Sequence, residues 1–172
     1  MVIIKRACGV AVFLFLIFIL CFDFVDAFSY SITSAVFLCF LYDRFLWKIN
    51  PLNKTPKLYG NYITKIESTY DNGIEYESLV TIKQTLSKIT IIEKMRDGVC
   101  VSIVASLYKY TDDGQWFLCY TYLTHPKNVD DDMHYGTSVL YIKDKDTLEG
   151  FYYTNRVKQT KGKQVFKRIK KT

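Results

Sequence analysis

Two apolar blocks near the start of the chain constrain its fold more than any other feature: "ACGVAVFLFLIFILCF" (Ala7–Phe22) and "AFSYSITSAVFLCFLY" (Ala27–Tyr42). Each contains sixteen residues without a charge. At the α-helical rise that is about 24 Å, against a hydrocarbon core of about 30 Å. Val2 to Ile4, Val25 and Phe45 to Trp47 extend the spans, while Lys5, Arg6, Arg44 and Lys48 reach the interface with their long stems. The connection carries only Asp23 and Asp26 as charges, so the pattern predicts a two-helix transmembrane hairpin with a slight mismatch to the bilayer. An export signal is the competing reading, because Val25-Asp26-Ala27 loosely matches a small-residue cleavage site. Cleavage there would leave a second membrane segment at the new terminus, which argues against it. Basic residues before the first block (Lys5, Arg6) and after the second (Arg44, Lys48, Lys54, Lys57) place both termini on the cytoplasmic side, with Tyr42 and Trp47 as interfacial anchors.

The hairpin occupies residues 1–49. A polar linker with two prolines follows (50–57, "NPLNKTPK"), and residues 58–172 are enough for one domain. From Pro51 onward there are 19 Lys and Arg against 14 Asp and Glu, a net of +5, which suits an anionic ligand or an anionic lipid leaflet. Cys8, Cys21 and Cys39 lie in the apolar blocks, and Cys100 and Cys119 fall on predicted strands as small apolar filler. No Cys/His spacing points to zinc, and a cytoplasmic domain is not expected to carry a disulfide framework.

Beyond the linker the chain reads as eight β segments without helical periodicity: Leu58–Glu67, Tyr76–Thr85, Lys88–Met95, Val99–Tyr110, Gln115–Thr124, Thr137–Lys143, Thr147–Arg156 and Lys163–Ile169. Turn chemistry separates them, at Asp71-Asn72-Gly73, Arg96-Asp97-Gly98, Asp112-Asp113-Gly114, Lys143 to Asp146 and Lys161-Gly162. Such short connections join antiparallel neighbours. Eight strands in meander order close into a minimal antiparallel barrel without exposed edges. A β-sandwich needs longer crossovers than these. Alternation puts Tyr76, Ser78, Val80 and Ile82 on one face, and Trp116, Leu118, Tyr120 and Tyr122 on another regular row. In "VCVSIVASLYKY" the packing set is Val99, Val101, Ile103, Ala105 and Leu107, opposite Ser102, Ser106, Tyr108 and Tyr110; sequence leaves open which face is the lumen.

This layout resembles the two-transmembrane β-barrel effectors of bacterial CBASS anti-phage systems. The resemblance covers nearly the whole chain. It is carried by Leu58, Gly60 and Tyr62 in "LYGNYI", by Leu148, Gly150, Tyr152 and Arg156 in "LEGFYYTNR", and by Gly162 and Arg168. It implies a bacterial inner-membrane protein whose barrel binds a cyclic dinucleotide made by a partner nucleotidyltransferase, then self-associates and disrupts the membrane. The implied partners are that nucleotide, the bilayer and other copies of the chain, with no nucleic-acid polymer and no cofactor; with two histidines and no Ser/His/Asp or Cys/His arrangement, no enzymatic activity is expected.

A cyclic dinucleotide presents two phosphates and two bases, so its pocket needs cationic donors and flat side chains. Arg156 is the first candidate, sharing a strand face with Tyr152 and Thr154 at two-residue spacing. Tyr62, Tyr120 and Tyr152 are candidate stackers or hydroxyl donors, against core packing as the ordinary role of a barrel tyrosine. Thr64 and Thr154 are candidates to orient phosphate or ribose, and Arg168 to hold the second phosphate, although Lys163, Lys167, Lys170 and Lys171 beside it also make a basic tail suited to anionic lipid. In "HPKNVDDDMH", His125, Asp130 to Asp132 and His134 match no metal motif and read as a solvated loop. The small residues Ser29, Ser31, Thr33, Ser34 and Ala35 permit close helix approach and are a candidate assembly face. The alternatives to a nucleotide receptor are a membrane-anchored barrel that carries lipid or another apolar ligand, and a passive anchor that docks a protein.

Overall fold

The computed structural model describes residues 2–69, 75–96, 98–110, 114–127, 133–156 and 159–170, with side chains from Cys8 onward. The chain forms two compact units, Met1–Lys54 and Thr55–Thr172. In the first, α1 (Val2–Phe18) and α2 (Phe24–Arg44) form a helical hairpin followed by a single 3₁₀ turn, Leu46–Lys48. α1 ends four residues before the expected Phe22, because the chain must reverse: Cys21 and Phe22 both donate their backbone N–H to the Phe18 carbonyl. Asp23 and Asp26 then open α2, where negative charge suits the helix N-terminus. Among the described residues α2 alone is long and apolar enough to cross a bilayer; the apolar part of α1 is the shorter Cys8–Phe18. Ala27, Ser31 and Ala35, one helical turn apart, are buried, and Phe15 meets Phe24 and Phe28 edge-to-face across the hairpin. Of the small-residue stripe, Ser31 and Ala35 are thus buried, while Ser29 and Thr33 stay exposed. Trp47, expected at a lipid interface, is fully buried.

The second unit is a closed antiparallel barrel of eight strands in meander order: β1 (Gly60–Ser68), β2 (Glu75–Gln84), β3 (Ile89–Met95), β4 (Gly98–Lys109), β5 (Trp116–Pro126), β6 (His134–Ile142), β7 (Thr147–Thr154) and β8 (Lys161–Arg168). β8 pairs with β1 to close it, Thr64 opposite Phe166. The expected fold class holds, and the two-residue period assigns the lumen: Tyr62, Thr64, Ile66 and Ser68 on β1 and Ser78, Val80, Ile82 and Gln84 on β2 all point inward. β4 departs from simple alternation. A register shift between Ser102 and Val104 inserts an extra residue, so Cys100 is inward before it and Ala105 and Leu107 after it, while Ile103 and Val104 are both exposed. The single packing row expected through Val99, Val101 and Ile103 is therefore broken by a bulge. β6 starts at His134, three residues before the expected Thr137, so His134 belongs to the barrel wall. The expected turns at Asp71-Asn72-Gly73, Asp97 and Asp112-Asp113 lie outside the described residues, as do Asp130 to Asp132 and Lys171.

The interior divides into two halves. Towards the end where the chain enters β1, Leu58, Tyr62, Ile82, Leu118, Leu140, Leu148 and Phe166 pack as a fully buried apolar cluster. Towards the opposite end the inward side chains turn polar: Ser68, Ser78, Glu93, Thr124, His134, Thr154, Thr160 and Gln164 are all buried.

Candidate ligand-binding site

The polar half begins with its aromatic plates. On β5, Tyr122 faces Gly136 of β6, and a Cβ at Gly136 would overlap the Tyr122 ring. On β7, Tyr152 faces Gly162 of β8, where a Cβ would come within 2.7 Å of the Tyr152 ring and collide with the Glu67 carbonyl. Each ring lies over a glycine that has no side chain to lift it, so two tyrosines hug the wall of the same half of the lumen. Burial raises the phenol pKa of both, and the Arg156 guanidinium nearby partly offsets the rise.

Arg156 follows β7 directly. Its Nε lies 3.2 Å from His134 Nε2, and Thr124 Oγ1 is 3.2 Å from the same nitrogen. For the guanidinium to donate, Nε2 must be the unprotonated nitrogen of a neutral imidazole. Thr124 Oγ1 is also 3.1 Å from Cys100 Sγ, whose thiol is pushed up to about 12 by burial. A chain of polar contacts thus runs from Cys100 through Thr124 and His134 to Arg156 and orients the guanidinium at the polar end. Thr154, on the same face as Tyr152, has its hydroxyl 2.7 Å from that of Thr160, which ties β7 to β8 beside Arg156.

Below these groups lies Glu93. It is 2% exposed and accepts a 2.5 Å hydrogen bond from the Ser78 hydroxyl. Burial raises its pKa, and the Ser78 bond works in the opposite direction. At the same depth the Thr64 hydroxyl and the Tyr120 hydroxyl are buried without a hydrogen-bond partner. The Ser138 hydroxyl neighbours Tyr120 and works against the rise in its pKa, but it donates to Gln164 Oε1 at 3.1 Å and makes no aligned bond to the phenol. Unpaired buried hydroxyls are costly, and here both face the lumen.

The remaining sequence candidates stand at the other end. Arg168 donates to three backbone carbonyls, Lys57, Tyr59 and Lys145, at 2.9, 2.7 and 3.0 Å, and pairs with Asp146 at 3.3 Å. It also donates to Tyr62 Oη at 2.6 Å, and that hydroxyl in turn donates to the Leu58 carbonyl at 2.8 Å. Burial pushes the Tyr62 phenol up to about 12. Gln84 continues the seal, accepting from Leu58 N at 2.7 Å and donating to the Pro56 carbonyl at 2.8 Å. These groups clasp the entry segment to the β6–β7 turn. Of the predicted site residues the fold therefore gathers Tyr152, Thr154 and Arg156 at the polar end, sets Thr64 and Tyr120 at its floor, and keeps Tyr62 and Arg168 in the clasp.

Sequence reasoning did not single out Glu93 or Tyr122 as site residues, and read His134 as loop. Glu93 had a signal: it shares inward parity with Ile89 and Ile91 in "ITIIEKM". His125 is exposed, and no group of three or more His, Cys, Asp or Glu suited to a metal occurs among the described residues.

A family model described as "Cap15, cyclic dinucleotide receptor domain" matches residues 53–168, the whole barrel. A CD-NTase-associated protein 15 from Staphylococcus schleiferi is 30% identical over 169 residues, covering 92% of this chain and 90% of that protein. Another from Escherichia albertii is 28% identical over 163 residues, covering 89% of this chain and 84% of that protein.

Proposed function

This chain belongs to the Cap15 cyclic dinucleotide receptor family, and from that premise we propose that the polar half of its barrel binds a cyclic dinucleotide. Arg156 holds a phosphate, and Tyr122 and Tyr152 stack against bases or ribose from their glycine-backed positions. Thr64 and Tyr120 lend their unpaired hydroxyls at the floor, while Thr154 fixes the hairpin that carries Arg156. Tyr62 and Arg168 act by keeping the opposite end shut. The observation that carries this reading is the division of the lumen: one half is filled by its own apolar side chains, and the other presents a guanidinium, two backed tyrosine rings and buried hydroxyls.

The second messenger comes from a partner nucleotidyltransferase, and the protein acts as a CBASS effector. The apolar helices hold it in the bacterial inner membrane with both termini in the cytoplasm. Ligand binding drives self-association, and the poorly matched hairpin then disrupts the membrane. The lipid-carrier alternative lacks a matching feature, since the apolar half is packed solid by Leu58, Tyr62, Leu140 and Phe166.

The test is calorimetry on the full chain in detergent micelles, titrated with cyclic di-AMP, cyclic di-GMP and cyclic GMP–AMP, with fatty acids as controls. Binding to one or more cyclic dinucleotides, followed by ligand-dependent leakage of dye from liposomes carrying the protein, is the expected result. Binding of fatty acid alone would replace this reading with the lipid-handling one.

A further inference from the structure

The outer surface of the barrel is as divided as its lumen. On β1, β2 and β8 the outward residues include exposed charges, among them Lys65, Glu77, Lys83, Lys163 and Lys167. The wall from β4 to β7 differs. β5 opens with "WFLCYTYL", apolar or aromatic on both faces for most of its length, which is the pattern of a strand covered on both sides. Register carries the same chemistry across its neighbours: Tyr108 of β4, Phe117 of β5 and Tyr141 of β6 form one outward row, and Cys119, Val139 and Phe151 form the next. The Tyr108 and Phe117 rings stack with centroids 5.1 Å apart, and Phe117 meets Tyr141 at 4.7 Å. Among the described residues the outward rows of these four strands hold one Asp, Glu, Lys or Arg. It is Glu149, which is paired with Lys143 at 2.6 Å.

Six rings on this face, Tyr108, Tyr110, Tyr135, Tyr141, Phe151 and Tyr153, are 40–59% exposed, and Ile103 and Val104, turned outward at the bulge, are 62% exposed each. An aromatic side chain offers about 150–250 Å² when fully buried, so the rings alone supply roughly 600 Å². A specific contact takes about 500 Å² or more from each partner. An exposed apolar patch of this size marks an interaction surface, and the charge pattern selects the occupant. An anionic bilayer attracts lysine and arginine, and the outward lysines lie off this face, on β1, β2 and β8. With a net charge of +5 beyond the linker, two copies of the barrel repel each other except where their surfaces are free of net charge. A twofold contact sets a patch against itself, which an uncharged face allows and a lysine-rich one opposes.

We propose that the outer face of β4 to β7, centred on Phe117 and Cys119, is the surface through which two copies of this chain meet. The proposal rests on the self-association in the reading above and names its surface. Tyr120 and Tyr122 point into the lumen from the same strand that turns Phe117 and Cys119 outward, so the strand that lines the site also builds the contact.

The experiment uses the full chain in liposomes, with Cys8, Cys21, Cys39 and Cys100 changed to alanine so that Cys119 alone reacts with a short bis-maleimide. It is run with and without cyclic di-AMP, cyclic di-GMP and cyclic GMP–AMP. The expected result is a covalent dimer whose yield falls about tenfold or more in Val104→Lys/Phe151→Lys, because like charges then face each other across the contact. Tyr153→Lys, a second variant at an exposed position, is expected to lower the yield in the same direction. Ile63→Lys/Leu79→Lys, a cross-strand pair on the charged side of the barrel, leaves the yield unchanged. Thermal melts confirm that each variant is folded. No cross-link in any condition, or equal yields in all variants, overturns the proposal. Quenching of a fluorophore on Cys119 by brominated lipid, without a cross-link, gives the face to the bilayer instead. Nucleotide binding is read by calorimetry on the same protein. A cross-link with no binding of any of the three nucleotides would sink the nucleotide site and leave this surface standing.

Discussion

The two halves of the barrel interior are built from the same eight strands with the same two-residue alternation, yet they do opposite things with their buried groups. In the half near the entry of the chain, the buried polar side chains among the described residues have partners: Gln84 holds both Leu58 and Pro56, and Tyr62 lies between Arg168 and the Leu58 carbonyl. In the other half, Thr64 and Tyr120 keep unpaired hydroxyls, Glu93 is buried without a cation, and Arg156 is aimed inward through His134. A saturated network is a structural joint, and the unsaturated one is where the proposed ligand would bind. Under that proposal Tyr62 and Thr64, two positions apart on one strand, serve opposite purposes.

If that contrast is right, mutations in the two halves separate stability from binding. The largest loss of stability is expected from Phe166→Ala, which empties the middle of the apolar cluster and lowers the unfolding free energy by about 3–5 kcal/mol in urea denaturation. Arg168→Ala removes the clasp and is expected to cost about 1–3 kcal/mol, since several backbone carbonyls lose a charged donor. Measured on folded protein, nucleotide affinity stays unchanged in Arg168→Ala. A loss of affinity without a loss of stability would move Arg168 into the site and erase the distinction between the halves. Arg156→Ala is expected to do the reverse, lowering affinity about ten- to a hundredfold while shifting stability by less than about 1 kcal/mol, as read by calorimetry and melting on the same preparation.

Much of this contrast could be read from sequence, and the part that could not has a definite physical origin. Turn residues and alternation were sufficient for eight strands and for the regular rows of β2 and β5, because a barrel wall enforces a strict period of two, but not for which row faces the lumen. The same spacing put Tyr152, Thr154 and Arg156 on one face, and the fold brings them to one end. What alternation does not encode is height along the barrel axis, which is fixed by the stagger between strands. Tyr62 and Arg168 therefore read as site candidates behind Arg156 although they stand at the opposite end. The β4 bulge at Ser102/Val104 was hidden too, since no glycine or proline marks it and only the pairing with β5 reveals the extra residue. Glu93 was passed over because one charged residue in an apolar strand usually faces solvent.

Glu93 also offers the finest test of the contrast, through pH. Its ordinary pKa is 4.5 and the folded barrel raises it. Just above pH 4.5 the native state consequently holds a proton that the unfolded chain has released. Stability then falls as pH rises, by at most about 1.4 kcal/mol per pH unit, until the folded-state pKa is passed. Glu93→Gln cannot titrate, so the difference in stability between it and wild type should grow in favour of the variant over that window and be flat below it. Arg156, His134 and the lumen tyrosines are common to both proteins and cancel in the difference. Urea denaturation of the pair from pH 4 to pH 8 measures it directly. A difference that does not change with pH would mean that Glu93 keeps its ordinary pKa. The polar half would then hold a compensated carboxylate, like the satisfied groups of the clasp, and the contrast between the halves would weaken at this residue.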